Sequence, residues 1–146
     1  MAESSSAAAA SPPAPALVVH RGSCHCKAVL FEFDGPRDVL QTECNCSICR
    51  MKRNAHTIVP GSRFRLLQGE DMLTLYTFNT HTAQHLFCKR CGVQAFYIPR
   101  SNPDGYAVTV ACIDPATIES IRTEAFDGEN WEQAYAASGI AAYSKA

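Results

Sequence analysis

The chain has no hydrophobic run approaching the roughly 20 apolar residues that a membrane span requires. It has no excess of charge either: 13 basic and 14 acidic residues leave a formal net charge of -1 with histidines neutral. That balance gives no long-range attraction to nucleic acid or to an anionic membrane surface, so a generic polyanion-binding role is disfavoured. The short basic stretch Arg50, Lys52 and Arg53 reads as a solvated polar face. The opening "MAESSSAAAASPPAPA" lacks the cationic segment and apolar core of a secretory signal, and it lacks the arginines of a transit peptide. Small residues and proline there bury too little to offset their ordering entropy. Residues 1–16 are therefore expected to form a disordered tail. Residues 17–146 are expected to form one soluble, intracellular domain, cytoplasmic and with the nucleus as a second compartment. No internal repeat is present.

Helical patterns are also scarce. "LVVHRGSCHCKAVLFEF" carries Val29, Phe31 and Phe33 in alternation with Ala28, Leu30 and Glu32, as a strand does, until "DGPRD" breaks it. "MLTLYTF" at 72–78, "QHLFC" at 84–88, "VQAFYI" at 93–98 and "YAVTVACI" at 106–113 repeat the pattern between Gly, Pro, Asn and Asp clusters. The reading is a mainly β, sandwich-like domain with a few short helices. Asp114 can cap a turn begun by Pro115, and "DGENWEQAYAA" puts Trp131 and Tyr135 on one face of a C-terminal helix.

What the chain has in quantity is cysteine, eight in all, mostly clustered. Disulfides, a redox pair and metal ligation compete to explain such clusters. In a reducing compartment, metal binding or catalysis outweighs disulfide formation. "CKRCG" at 88–92 has the form of a zinc knuckle, with Gly92 where a positive φ is needed. A redox pair would open a helix, whereas strand-like sequence flanks this one. In "CHC", an extended chain puts Cys24 and Cys26 on one side, within reach of a single ion. Cys24, Cys26, Cys88 and Cys91 together would make a closed, four-thiolate structural zinc site. Spacing alone does not fix that pairing, but it strands the fewest ligands.

"CNCSIC" then stands apart. Cys44, Cys46 and Cys49 can converge on a second ion from one loop, and three ligands plus an open position is the pattern of a catalytic zinc. Three anionic sulfurs make that centre a weak activator of water and a better receptor for another sulfur, so a thiol substrate is expected. Cys112 is a candidate fourth ligand, although it lies in an apolar strand where a buried free thiol is ordinary. His56 could ligate or support a ligand. His25, His81 and His85 read as ordinary strand and loop histidines. Arg100 and Asn102 in "YIPRSNPDG" read first as a loop, and second as an edge that could bind carboxylates.

"GSCHCKAV", "CNCSIC", "FCKRCGVQAFYIPRSNP" and "FDGENW", in that order, resemble the glutathione-dependent formaldehyde-activating enzyme family, which also includes centromere protein V. The likeness spans residues 18–135. It implies a fold similar to a small zinc-binding chaperone of Rab GTPases and two zinc ions. One is structural, on Cys24, Cys26, Cys88 and Cys91, and one is catalytic, on Cys44, Cys46 and Cys49. The implied activity is a carbon–sulfur lyase reaction, the condensation of glutathione with formaldehyde to S-hydroxymethylglutathione. The implied partners are therefore a small-molecule thiol and an aldehyde. The alternative is a non-catalytic zinc protein that binds thiol adducts, or a chromatin or cytoskeleton interaction module like centromere protein V.

Overall fold

Strands form where β-branched and aromatic residues alternate with polar ones. In the computed structural model, which describes residues 15–146, they are β1 (Leu17–Ser23), β2 (Leu30–Pro36) and β3 (Asp38–Cys44). A six-residue helix α1 (Ser47–Lys52) and β4 (Ala55–Pro60) follow, then β5 (Phe64–Gln68), β6 (Leu73–Tyr76), β7 (His85–Cys88), β8 (Phe96–Tyr97) and β9 (Gly105–Thr109). β10 (Ser120–Phe126) and the helix α2 (Trp131–Ser138) complete the order. The domain is mainly β with few short helices, as the strand patterns imply. The tail expected over residues 1–16 lies, up to residue 14, outside the described residues.

The strands make a three-stranded sheet, β1-β2-β5, a five-stranded sheet, β10-β3-β4-β9-β8, and the two-stranded pair β6-β7. Only β10 runs parallel to its neighbour, β3; the other pairings are antiparallel. The core lies where the two larger sheets meet. Phe31 and Phe33 of β2 face inward with Val59 of β4, Phe96 of β8 and Val108 of β9. Phe64 stacks on Tyr106 at 4.1 Å and meets Phe96 edge-on at 4.8 Å, joining the sheets through their rings. Phe31, Phe33 and Phe96 are buried, and each contributes about 1.5–3 kcal/mol, whereas Phe64 and Tyr106 are only partly buried.

Several local expectations are corrected. "CHC" is not extended chain: Cys24 to Val29 form a turn between β1 and β2, with Lys27 at φ 65°. Only Phe96–Tyr97 of "VQAFYI" is strand, and β9 ends at Thr109, so Cys112 sits in a short 3-10 turn, Val110–Cys112. β3, β4, β5, β10 and α1 have no counterpart in the pattern reading. The C-terminal signals hold. Asp114 accepts from the Ala116 amide with Pro115 in the turn, and Trp131 stacks on Tyr135 at 4.7 Å.

Candidate metal centres

Cys24 and Cys26 come from the β1–β2 turn, Cys88 from the end of β7 and Cys91 from the tight turn after it. Their Sγ atoms all lie within 4.8 Å of one another. Gly92, at φ 76°, permits that turn, and its amide donates to Cys88 O at 2.8 Å. Cys24–Cys26 and Cys26–Cys88 are separated by 3.6 Å between sulfurs. A disulfide needs about 2.05 Å, whereas the edge of a tetrahedron with zinc–sulfur bonds of about 2.3 Å is about 3.8 Å. The spacing therefore fits a metal ion such as zinc and not a bond between the thiols. Backbone amides support the sulfurs: Val29 N–H donates to Cys24 Sγ at 3.3 Å. The Cys91 thiol is held down at about 6, first by the Cys26 amide that donates to it. Cys24 and Cys88 also belong to the buried core, so this cluster knits β1, β2 and β7 together.

Cys44 ends β3, Cys46 precedes α1 and Cys49 lies inside it. These three sulfurs also lie within 4.8 Å of one another, and no fourth Cys, His, Asp or Glu joins them among the described residues. Charge is shared unequally in the trio. Cys46 is held far below the ordinary thiol range, first by hydrogen bonds from the Cys44 and Cys49 side chains and then by the amides of Cys49 and Ile48. The hydrogen bond with Cys46 pushes Cys44 up to about 11, and the contact with Cys44 raises Cys49 strongly. Cys112 is not the missing ligand: it is half-buried in its turn, packed against the core that holds Cys24 and Cys88, and it joins neither set.

The "CNC" loop is clamped to the turn before α2. Asn45 Nδ2 donates to Asp127 Oδ1 at 3.0 Å, the Glu129 amide donates to Asn45 Oδ1 at 3.1 Å, and Asn45 N–H donates to Phe126 O at 3.3 Å. This clamp is the physical link between "CNCSIC" and "FDGENW".

Cys44, Cys46 and Cys49 line a cavity of about 450 Å³. Phe78, Asn79 and Thr80 wall it from the β6–β7 loop, and His85 and Tyr97 come from the neighbouring strands. Thr42, His56, Arg50, Arg100, Glu129 and Trp131 also line it. Arg100 lies 3.7 Å over the Trp131 ring and donates to Glu132 at 2.9 Å. Asn102, expected beside it as a carboxylate contact, is fully buried and donates to Ile140 O and Ser144 Oγ, each at 2.9 Å. It is a structural tie. His56 does not join the cysteines: Nε2 faces the Tyr97 hydroxyl at 3.4 Å, which in turn lies 3.9 Å from Cys49 Sγ. Burial lowers the His56 pKa to about 4. His85, read as an ordinary histidine, stacks on Tyr97 at 5.2 Å in the cavity wall. Tyr97 and Trp131 were visible in the sequence only as strand and helix residues.

A small β domain that gathers four thiols at one point and three at another, the second set opening on a cavity, defines a class of thiolate-cluster protein. Residues 19–132 match the family described as glutathione-dependent formaldehyde-activating enzyme, and the chain belongs to that family. Among solved structures it is similar to a Rhodobacter sphaeroides protein, a structural-genomics target determined by crystallography. That match has 34% identity and a TM-score of 0.59, covering 71% of this chain and 99% of the other. Among the described residues no helix is long and apolar enough to cross a membrane.

Proposed function

We propose that this protein is a zinc-dependent carbon–sulfur lyase that condenses glutathione with formaldehyde to S-hydroxymethylglutathione. The observation that carries this reading is the convergence of Cys44, Cys46 and Cys49 on the wall of a cavity of about 450 Å³, with no fourth ligand among the described residues. Membership in the family supports the substrate pair. We assign Cys24, Cys26, Cys88 and Cys91 to a structural zinc and Cys44, Cys46 and Cys49 to a catalytic one. Zinc at the second set supplies a soft centre that favours the deprotonated form of a thiol.

The chain's own residues do the remainder. Three thiolate donors offset the ion's charge and direct the site towards sulfur rather than water. Phe78, Tyr97 and Trp131 wall the cavity with apolar surface, and Arg50, Arg100 with its partner Glu132, and Glu129 give it charge of both signs, suited to a substrate that carries carboxylates and an ammonium group. Holding thiol and aldehyde together replaces a bimolecular encounter with a positioned one. In the net reaction a bond forms between sulfur and the carbonyl carbon, the carbonyl double bond becomes single, and the thiol proton ends on its oxygen.

The test is the initial rate of condensation by zinc-loaded protein, compared with the uncatalysed reaction in the same buffer. A rate proportional to protein concentration is expected. A rate equal to that of buffer sinks the lyase reading and leaves a carrier that binds the adduct with the same cysteines.

A further inference from the structure

β3 and β4 set Thr42 directly opposite His56. Cross-strand partners of this kind hold their Cβ atoms about 4.5–5.5 Å apart on one face. Both side chains line the cavity that holds the three-cysteine set, and only 2% of Thr42 and 3% of His56 remain exposed. Yet Thr42 Oγ1 and His56 Nδ1 have no hydrogen-bond partner among the described residues. Buried polar atoms are paired in the great majority of cases, so two unpaired atoms on directly opposed residues that line one cavity point to a common ligand.

The rest of the strip is fixed in place. His56 Nε2 is occupied by the Tyr97 hydroxyl at 3.4 Å, and that hydroxyl reaches Cys49 Sγ at 3.9 Å. Thr42 lies two residues before Cys44, on the same face of β3. The two residues therefore line the same cavity as the cysteines.

We propose that Thr42 Oγ1 and His56 Nδ1 form a subsite for the oxygen of a one-carbon carbonyl compound or its hydrate. The inference rests on the lyase reading, whose second substrate it locates. Either neutral tautomer of His56 suits it. When Tyr97 donates to Nε2, Nδ1 carries the proton and donates to a carbonyl oxygen. When Nε2 donates to Tyr97, Nδ1 accepts from a hydroxyl of the hydrate. The Thr42 hydroxyl fills either role. A glutathione carboxylate does not suit the place, because two neutral groups compensate poorly for burying a charge. The near-complete enclosure of both atoms favours a ligand of two or three heavy atoms. Such a ligand binds no tighter than about millimolar, given the limit on affinity per atom.

Thr42→Val keeps the shape and removes the hydroxyl. Its melting temperature should match or exceed wild type, since an unpaired buried hydroxyl is lost. In zinc-loaded protein the substitution should raise KM for formaldehyde about tenfold, the value of one hydrogen bond, and leave KM for glutathione and the zinc content unchanged. A second measurement does not depend on turnover. The His56 imidazole resonances are followed by nitrogen-edited NMR while formamide, an unreactive one-carbon carbonyl, is titrated into the zinc-loaded protein. A saturating shift in wild type that is lost in Thr42→Val is expected. If wild type shows this response but no turnover, the subsite stands and the lyase reading fails. Absence of any response means that the two atoms hold only a water, and the proposal is overturned. A variant that changes both KM values alike overturns it as well.

Discussion

Gly128 lies against Cys44 so closely that a methyl group on its Cα would fall 2.5 Å from Cys44 Sγ and 2.7 Å from Cys46 Cβ. The glycine is required here for space: the turn before α2 closes over the three-cysteine set and is held there by Asn45.

Gly128→Ala should therefore displace the "CNC" loop and not the core. Elemental analysis should find about two zinc ions per chain in wild type and about one in the purified variant. Far-ultraviolet circular dichroism should be unchanged. A variant that retains both ions would show that the turn does not hold the second set in place.

The two sets should also part in what their loss does. Cys88 is fully buried and Cys24 nearly so, both within the core, whereas the three-cysteine set lies at the cavity. A structural zinc contributes on the order of 10–16 kcal/mol of apparent binding free energy, comparable to a domain's whole stability. Cys91→Ser should give mostly insoluble protein. Cys49→Ser should stay soluble with one zinc, lose lyase activity, and melt far closer to wild type. Equal collapse of the two variants in a solubility and melting comparison would make the three-cysteine set structural, and the functional assignment would fall with it.

The grouping of cysteines into four and three was legible because each cluster is short and its sulfurs are gathered by local turns, even though the "CHC" turn is not the extended chain expected. Distant partners were not legible. Asn102 looks like a polar loop residue until Ile140 and Ser144 arrive from 38 and 42 residues away. β3, with Asp38, Gln41, Thr42 and Glu43 among its seven residues, shows too little apolar alternation to read as a strand. It forms because β10 pairs alongside it, in parallel, from 82 residues further on. Thr42 therefore carried no signal at all, and His56 could be read only as a possible neighbour of the metal.

The thiol of the substrate, rather than its peptide frame, should dominate binding at the second set. Soft thiolate-ligated zinc takes sulfur in deprotonated form, and S-methylglutathione has no proton to lose. Calorimetric titration of zinc-loaded protein should show glutathione binding at least tenfold tighter than the S-methyl compound. Equal affinities would place recognition in Arg50, Arg100 and Trp131 and make the metal a bystander.

His56 should make the protein sensitive to mild acid. Burial depresses its pKa from 6.5 to about 4, so the folded state holds it neutral while the unfolded chain takes up a proton. Its contribution to stability is therefore fully present above pH 6.5 and is lost as pH falls towards 4. The full difference corresponds to about 3 kcal/mol, of which about 2 kcal/mol is lost between pH 7 and pH 5. Urea unfolding of zinc-loaded wild type at those two pH values should show that loss. His56→Gln, which cannot titrate, should be less stable at pH 7 but should change less between the two conditions by about that amount. Protonation of the cysteine ligands affects both proteins alike and cancels in the comparison. Parallel losses in wild type and His56→Gln would mean that His56 meets the same solvent in the folded and unfolded chain, contrary to its burial beneath the cavity.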